Sequence, residues 1–186
     1  MKRRMVVFAL ACALAAPGFA VAASKKESQA EVQKAAQQAL ASVYKVQPSA
    51  RKAVEAAAGY AAFSNFGMKI FVAGGGSGKG IAYNNKTRAT TYMKMAEVQA
   101  GIGFGVKKFQ LVWVFETDKA FNDFVTSGWA FGAQATAAAK AGGKGDSYQG
   151  AVSVAPGVWL YQLTGDGLAL ELTAKGTKYY KDDELN

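Results

Sequence analysis

The stretch Val72-Ala-Gly-Gly-Gly-Ser-Gly-Lys-Gly-Ile-Ala-Tyr83 decides between two folds. A phosphate-cradling loop needs the order G-x-x-x-x-G-K-[ST], in which backbone amides wrap the phosphates, the lysine reaches the outer ones and the hydroxyl holds magnesium. With Gly78-Lys79 set on the G-K pair, Ala73 falls where the first glycine belongs and Gly80 replaces the hydroxyl. Such a loop must also open a helix, yet Gly80 to Asn85 shows no helical period and ends in turn formers. The stretch therefore reads as a glycine-rich turn between two strands, with Lys79 in that turn and no ligand role expected for it.

From this turn outward the period is two. Val98, Ala100, Ile102, Phe104 and Val106 alternate with Glu97, Gln99, Gly101, Gly103 and Gly105, as in a strand with one buried face. Further strands are expected at Met68–Gly74, Gly80–Asn84, Ala89–Met95, Phe109–Glu116, Ala130–Ala137, Tyr148–Val154, Val158–Leu163 and Leu168–Thr173. Phe109 to Phe115 is almost wholly apolar and predicts a central strand covered on both faces. Thr164-Gly-Asp-Gly167 predicts a hairpin, and Ala141 to Asp146 a loop.

Helical spacing appears in two places. Val32, Ala35, Ala36, Ala39, Leu40 and Val43 mark an amphipathic helix over Ser28–Lys45 that stops near Pro48, and a second helix runs from Ser49, its expected cap, to Ala58. Later, Phe121, Phe124 and Val125 share one face of a helix over Asp118–Ser127, with Thr117 or Asp118 as cap and Gly128 at its end. The fold class is thus α+β: a mostly antiparallel, glycine-rich sheet of about eight strands, able to curl toward a barrel, with N-terminal helices and one inserted helix. An outer-membrane barrel is the rival architecture; the inserted helix, the non-alternating run at Leu111–Phe115 and a final Asn186 in place of an aromatic residue oppose it.

The first residues read as a secretory signal peptide over 1–23, with Lys2-Arg3-Arg4, an apolar middle and Ala20-Val21-Ala22 before Ser24. The expected organisation is that leader, a helical segment over 24–58 and a β-rich part over 59–186, the last two as one unit. Location is then the periplasm or beyond, with peripheral contact to a membrane. Cys12 is the only cysteine and lies in the leader, so no disulfide is expected after cleavage. Lipidation at Cys12 is the lesser alternative, because Leu10 sits one place too close for the usual lipoprotein pattern.

Of 22 basic residues, Lys2, Arg3 and Arg4 fall in the leader, which leaves 19 against 13 acidic ones and a net charge of +6 from Ser24 onward. A basic envelope protein is drawn to anionic headgroups. The basic N-terminal residues Lys25, Lys26, Lys34, Lys45, Arg51 and Lys52 are the expected lipid-contact set. The sequence contains no histidine, and the serines have no such base to activate them. Asp182-Asp-Glu184 reads as a solvated acidic cluster, not a metal site. Neither catalysis, nor a cofactor, nor nucleic-acid binding is expected.

Gly74 to Gly80, Val98 to Gly105, Gln110 to Phe115, Ala120-Phe121 with Phe124, Gly167-Leu-Ala-Leu-Glu-Leu172 and Lys178 to Asn186, in this order, resemble the SYLF domain over about Ala50–Asn186. The resemblance implies a lipid-binding module without a catalytic set; eukaryotic members bind phosphoinositides, and a yeast member binds actin. For a periplasmic protein it implies affinity for anionic phospholipid, with a protein-interaction or scaffolding module as the alternative.

Overall fold

A strand that is apolar along most of its length needs cover on two sides, and helices supply it here. In the computed structural model the backbone is described for residues 17–70, 73–100, 105–131, 148–165, 167–169 and 177–186. Two helices come first, α1 (Pro17–Val46) and α2 (Ser49–Ala56). Four long strands follow: β1 (Gly59–Ile70), β2 (Ala73–Asn84), β3 (Thr90–Ala100) and β4 (Gly105–Phe115). Helix α3 (Asp118–Ser127) is inserted before β5 (Trp129–Phe131), β6 (Val152–Ala155), β7 (Val158–Thr164), β8 (Gly167–Ala169) and β9 (Thr177–Lys181). The described strands pair antiparallel in an open, curled sheet of order β5-β9-β3-β2-β1-β4-β7-β6, with β8 on β7. The α+β class expected from the periodicity is the one observed, and the sheet is open, unlike the membrane-barrel alternative.

The glycine stretch is not a turn. Residues Ala73–Asn84 pair along their length with β1 on one side and, through Tyr83, with β3 on the other, so Gly74–Gly80 lies inside a strand. Glycine is needed because the neighbouring chain comes close: a Cβ on Gly80 would stand 2.2 Å from the Ala62 carbonyl oxygen and 2.5 Å from the Phe63 ring. Met68–Gly74 and Gly80–Asn84, expected as separate strands, are therefore parts of two strands of 12 residues each. Residues 97–106 divide between the end of β3 and the start of β4, and 101–104 lie outside the described residues. Of Ala130–Ala137 and Leu168–Thr173 only the first residues are described as strand, Tyr148–Gly150 turns instead of extending, and Ala141–Asp146 lies outside the description. Strand β9, whose buried Thr177 and Tyr179 alternate with exposed lysine and tyrosine, is too short to stand out by its period.

β4 is covered on both faces, as its composition implies. Phe109, Leu111, Trp113 and Phe115 join Phe63, Met93, Phe121 and Phe124 under α3, while Val112 and Val114 join Ala62, Ile81, Tyr161 and the helical Val32, Leu40, Val43 and Val54 on the opposite face. On the α3 side Trp113 touches Phe115, Phe124, Trp129 and Tyr179, with ring centroids 5.0–6.3 Å apart. Burial holds the Tyr179 phenol well above its ordinary pKa. On the other face Ala36 and Ala39 of α1 are fully buried, and their short side chains let the helix lie close to the strands.

Local chemistry ends the helices. Thr117 caps α3, its hydroxyl oxygen accepting from the Ala120 amide at 3.2 Å, and Gly128 leaves the helix at a φ of 71°. Ser49 does not cap α2: Pro48 holds that position at a φ of −60°, and the Ser49 hydroxyl instead accepts from the Gln47 amide at 2.7 Å. A proline suits a helix start because its fixed φ is already helical. Thr164 pairs with Gly167 across the expected hairpin.

Candidate functional site

Residues directly opposite each other in an antiparallel sheet project to the same face. The register sets Ser64 of β1 opposite Lys79 of β2, Lys79 opposite Lys94 of β3, and Lys94 opposite Tyr180 of β9. The row lies on the α1 side, since Ala62, Ile81 and Tyr92 share its alternation and belong to the core under that helix. Lys108 of β4, opposite Phe66, extends the row diagonally. Beyond the edge of the α1 core these side chains line an open cleft of about 610 Å³, walled on the helix side by Glu31, Val32 and Ala35. Ser64, Ser77 and Gly78 keep its floor low because none carries a long side chain.

Three lysines face one lining carboxylate, Glu31, in the cleft, and the lysines are not equivalent. Lys79 and Lys108 are exposed, whereas Lys94 is partly covered and paired with two carboxylates, Asp182 at 2.9 Å and Glu184 at 2.8 Å. Hydrogen bonds to Glu184 and Asp182 hold the Lys94 ammonium above its ordinary pKa, so it is charged at any physiological pH. The acidic cluster expected to be solvated is thus split: the Asp182 side chain is 1% exposed and that of Glu184 83%. The turn that carries both acids is tied to the rest of the fold. Asn186 bonds the backbone of Tyr92 in both directions, Lys25 donates to the Asn186 carbonyl at 2.7 Å, and Gln29 donates to the Leu185 carbonyl at 2.7 Å.

The six lysines and arginines expected to contact lipid lie elsewhere on the surface. None of them lines this cleft. Lys26, Lys34, Lys45, Arg51 and Lys52 are exposed on α1 and α2, and Lys25 is half-buried against the Asn186 carbonyl. Lys34 and Lys45 share a helical stripe, being 11 residues apart at 3.6 residues per turn. Arg51 is engaged locally, 4.0 Å from Glu55 and 4.6 Å above the Tyr44 ring. Glu27 and Glu31 stand exposed on the same helix and dilute its positive charge.

Sequence reasoning missed Lys79, Lys94 and Lys108. Assigning Gly74–Gly80 to a turn removed Lys79 from any face, and Lys94 in Tyr92-Met-Lys-Met95 reads as a lone charge in an apolar strand. The usable signal was hairpin pairing: a tight turn near Asn85-Lys86-Thr87 brings residues 79 and 94 opposite each other.

What the cleft offers chemically is ammonium and hydroxyl donors around space for an anion. Among the described residues no three His, Cys, Asp or Glu side chains gather as a metal site, and no helix is long and apolar enough to cross a membrane.

Residues 96–186 match the Ysc84 family model, described as Las17-binding protein actin regulator. The chain is also 33% identical over 162 residues to Beta cell expansion factor A of Aeromonas veronii, a bacterial SYLF-family protein. The alignment covers 86% of this chain and 59% of that relative, so the chain spans well under two thirds of the relative's length. The matched family region contains Lys108 and the Asp182–Glu184 turn; Lys79 and Lys94 precede it.

Proposed function

We propose that this chain, which belongs to the SYLF (Ysc84) family through residues 96–186, is a non-enzymatic binder of anionic phospholipid at the bacterial cell envelope. The observation that carries the proposal is the convergence of Lys79, Lys94 and Lys108 on one open cleft with serines at its floor. A phosphodiester headgroup brings one negative charge and several acceptor oxygens, which lysine ammonium and serine hydroxyl groups complement. The exposed Lys26, Lys34, Lys45 and Lys52 add a diffuse attraction to the same kind of surface. The leader-like first residues support export, which is the route to an envelope location.

Co-sedimentation of the full chain with vesicles of phosphatidylcholine, with and without phosphatidylglycerol, tests this reading. Each lysine near an anionic surface contributes on the order of 1 kcal/mol. Replacing Lys79 and Lys108 with alanine should then weaken binding to phosphatidylglycerol vesicles about 30-fold at low salt. The same binding should fade toward about 1 M salt, where the Debye length is about 3 Å. Tight binding to pure phosphatidylcholine, or no change in the double variant, would refute the cleft.

The family description favours a second reading, a protein partner in place of a lipid. Binding that ignores vesicle composition altogether would point there.

A further inference from the structure

Among the described residues, Lys94 is the cleft lysine with ion-pair partners, and those partners differ in kind. Asp182 is buried: its Oδ1 contacts Lys94 and accepts from the Glu184 backbone amide at 3.2 Å, while its buried Oδ2 has no hydrogen-bond partner among the described residues. It sits on a turn whose backbone is bonded to Tyr92, Lys25 and Gln29. Glu184 reaches the same ammonium from solvent, its side chain 83% exposed. One carboxylate is therefore fixed and the other is held by a solvent-facing ion pair, the kind that contributes little net stability.

We propose that Glu184 is an internal stand-in for the ligand's phosphate: an incoming phosphate displaces the Glu184 carboxylate from Lys94, and the freed ammonium donors turn to the phosphate, which Lys79 of the neighbouring strand also reaches. This deepens, and rests on, the anionic-lipid reading of the cleft. Asp182 is the positioning residue. It stays bonded to Lys94 throughout and keeps the ammonium at the cleft's edge. An ammonium carries three donors, so with Asp182 retained and Glu184 released, two remain for phosphate oxygens.

The register supplies the reason for such an arrangement. Lys79 and Lys94 are directly opposite on neighbouring strands, where Cβ atoms lie about 5 Å apart and like charges repel. An empty cleft with two unscreened lysines would strain the sheet, and the acidic turn offsets that repulsion until a phosphate does so instead. Glu184 thereby sets a threshold: a ligand must outcompete a tethered carboxylate. A phosphate oxygen engaged by both lysines meets that threshold, whereas a phosphodiester already neutralised by its own choline meets it less well. Glu184 thus selects for charge.

The test uses the full chain in four forms: wild type, Glu184→Gln, Asp123→Asn and the Lys79→Ala, Lys108→Ala pair. Asp123 is an exposed acid of α3, on the far face of the sheet and paired with Lys119, so its variant matches the charge change and the release of a lysine without touching the cleft. One arm measures co-sedimentation with phosphatidylglycerol vesicles; the other measures the thermal midpoint against inorganic phosphate. Glu184→Gln should bind the vesicles about five-fold tighter than wild type and gain more thermal protection from phosphate, with Asp123→Asn near wild type in both arms. Protection by phosphate without vesicle binding would keep the exchange at Lys94, assign it to a free phosphate and reject the lipid reading. Equal behaviour of Glu184→Gln and wild type in both arms, or an equal gain in Asp123→Asn, would overturn the exchange. In either case the lipid reading still stands if the double lysine variant loses vesicle binding.

Discussion

Gly80→Ala separates a strand from a turn by the sign of its effect. In a flexible turn with compatible backbone angles, alanine stabilises by about 0.4–1 kcal/mol because it narrows the unfolded ensemble. In the structure the new Cβ would meet the Ala62 carbonyl oxygen at 2.2 Å and two Phe63 ring atoms at 2.5 and 2.7 Å. Neither neighbour can give way cheaply. Ala62 and Phe63 are fully buried, and the Phe63 ring is held by Tyr179 and Phe124 at centroid distances of 5.0 and 6.4 Å. Overpacking in a filled core costs about 1–3 kcal/mol, and disturbing an aromatic pair about 0.5–1.5 kcal/mol more. The expected loss is about 3 kcal/mol, read as a fall in the urea midpoint followed by fluorescence of the buried Trp113. Gly75→Ala is the internal control, since among the described residues its Cβ would meet only the Glu97 carbonyl oxygen, at an ordinary 3.6 Å, and should change stability by under about 0.5 kcal/mol. A Gly80→Ala protein as stable as wild type would refute the close approach of β1 and β2 at this point.

Phe124→Ala removes a fully buried ring that contacts Phe63, Trp113, Phe115 and Tyr179, and should cost about 3–5 kcal/mol in the same urea assay. Thr117→Ala deletes the cap of α3 and should cost about 1 kcal/mol, visible as faster amide exchange in the first turn of that helix. Burial pushes the phenols of Tyr44, Tyr148 and Tyr161 up to about 12, so the fold binds their protons more tightly than the unfolded chain does. Their contribution is complete below the unfolded value of about 10 and is lost as pH rises through 12. Absorbance titration of the phenolates should show this late set together with falling stability in that window. Reversing the charge of Lys34, Lys45, Arg51 and Lys52 should weaken binding to phosphatidylglycerol vesicles while leaving the urea midpoint within about 0.5 kcal/mol per substitution, because all four are exposed.

Much of the architecture was legible because each strand or helix announces which face it buries. The run Phe109–Phe115 stated a two-faced strand, Phe121 with Phe124 stated the face of α3, and the alanine-rich spacing stated α1. The glycines misled because their usual meaning is freedom to turn, and here they provide room for a neighbouring strand; a sequence shows the missing side chain but not what fills its place. The cleft was hidden for a related reason. Lys79, Lys94 and Lys108 come from three strands, and only the pairing register sets them together. The lysines of α1 and α2 are conspicuous in the sequence because they are consecutive or one helix apart, and their spacing records exposure, not convergence.

The close seat of α1 has a consequence for how relatives of this chain can diverge. Ala36 and Ala39 set the height at which the helix rides over the sheet, and the next residues toward its start, Ala35, Val32 and Glu31, are the wall of the cleft. The helix is thus a bar resting on two small pads. A bulkier side chain at either alanine would lift the bar and with it the wall of the cleft, with every lysine left untouched. If the cleft takes an anionic ligand as proposed, its size can be retuned from inside the core and its charge preference at Glu184, so the two properties can evolve without interfering with each other.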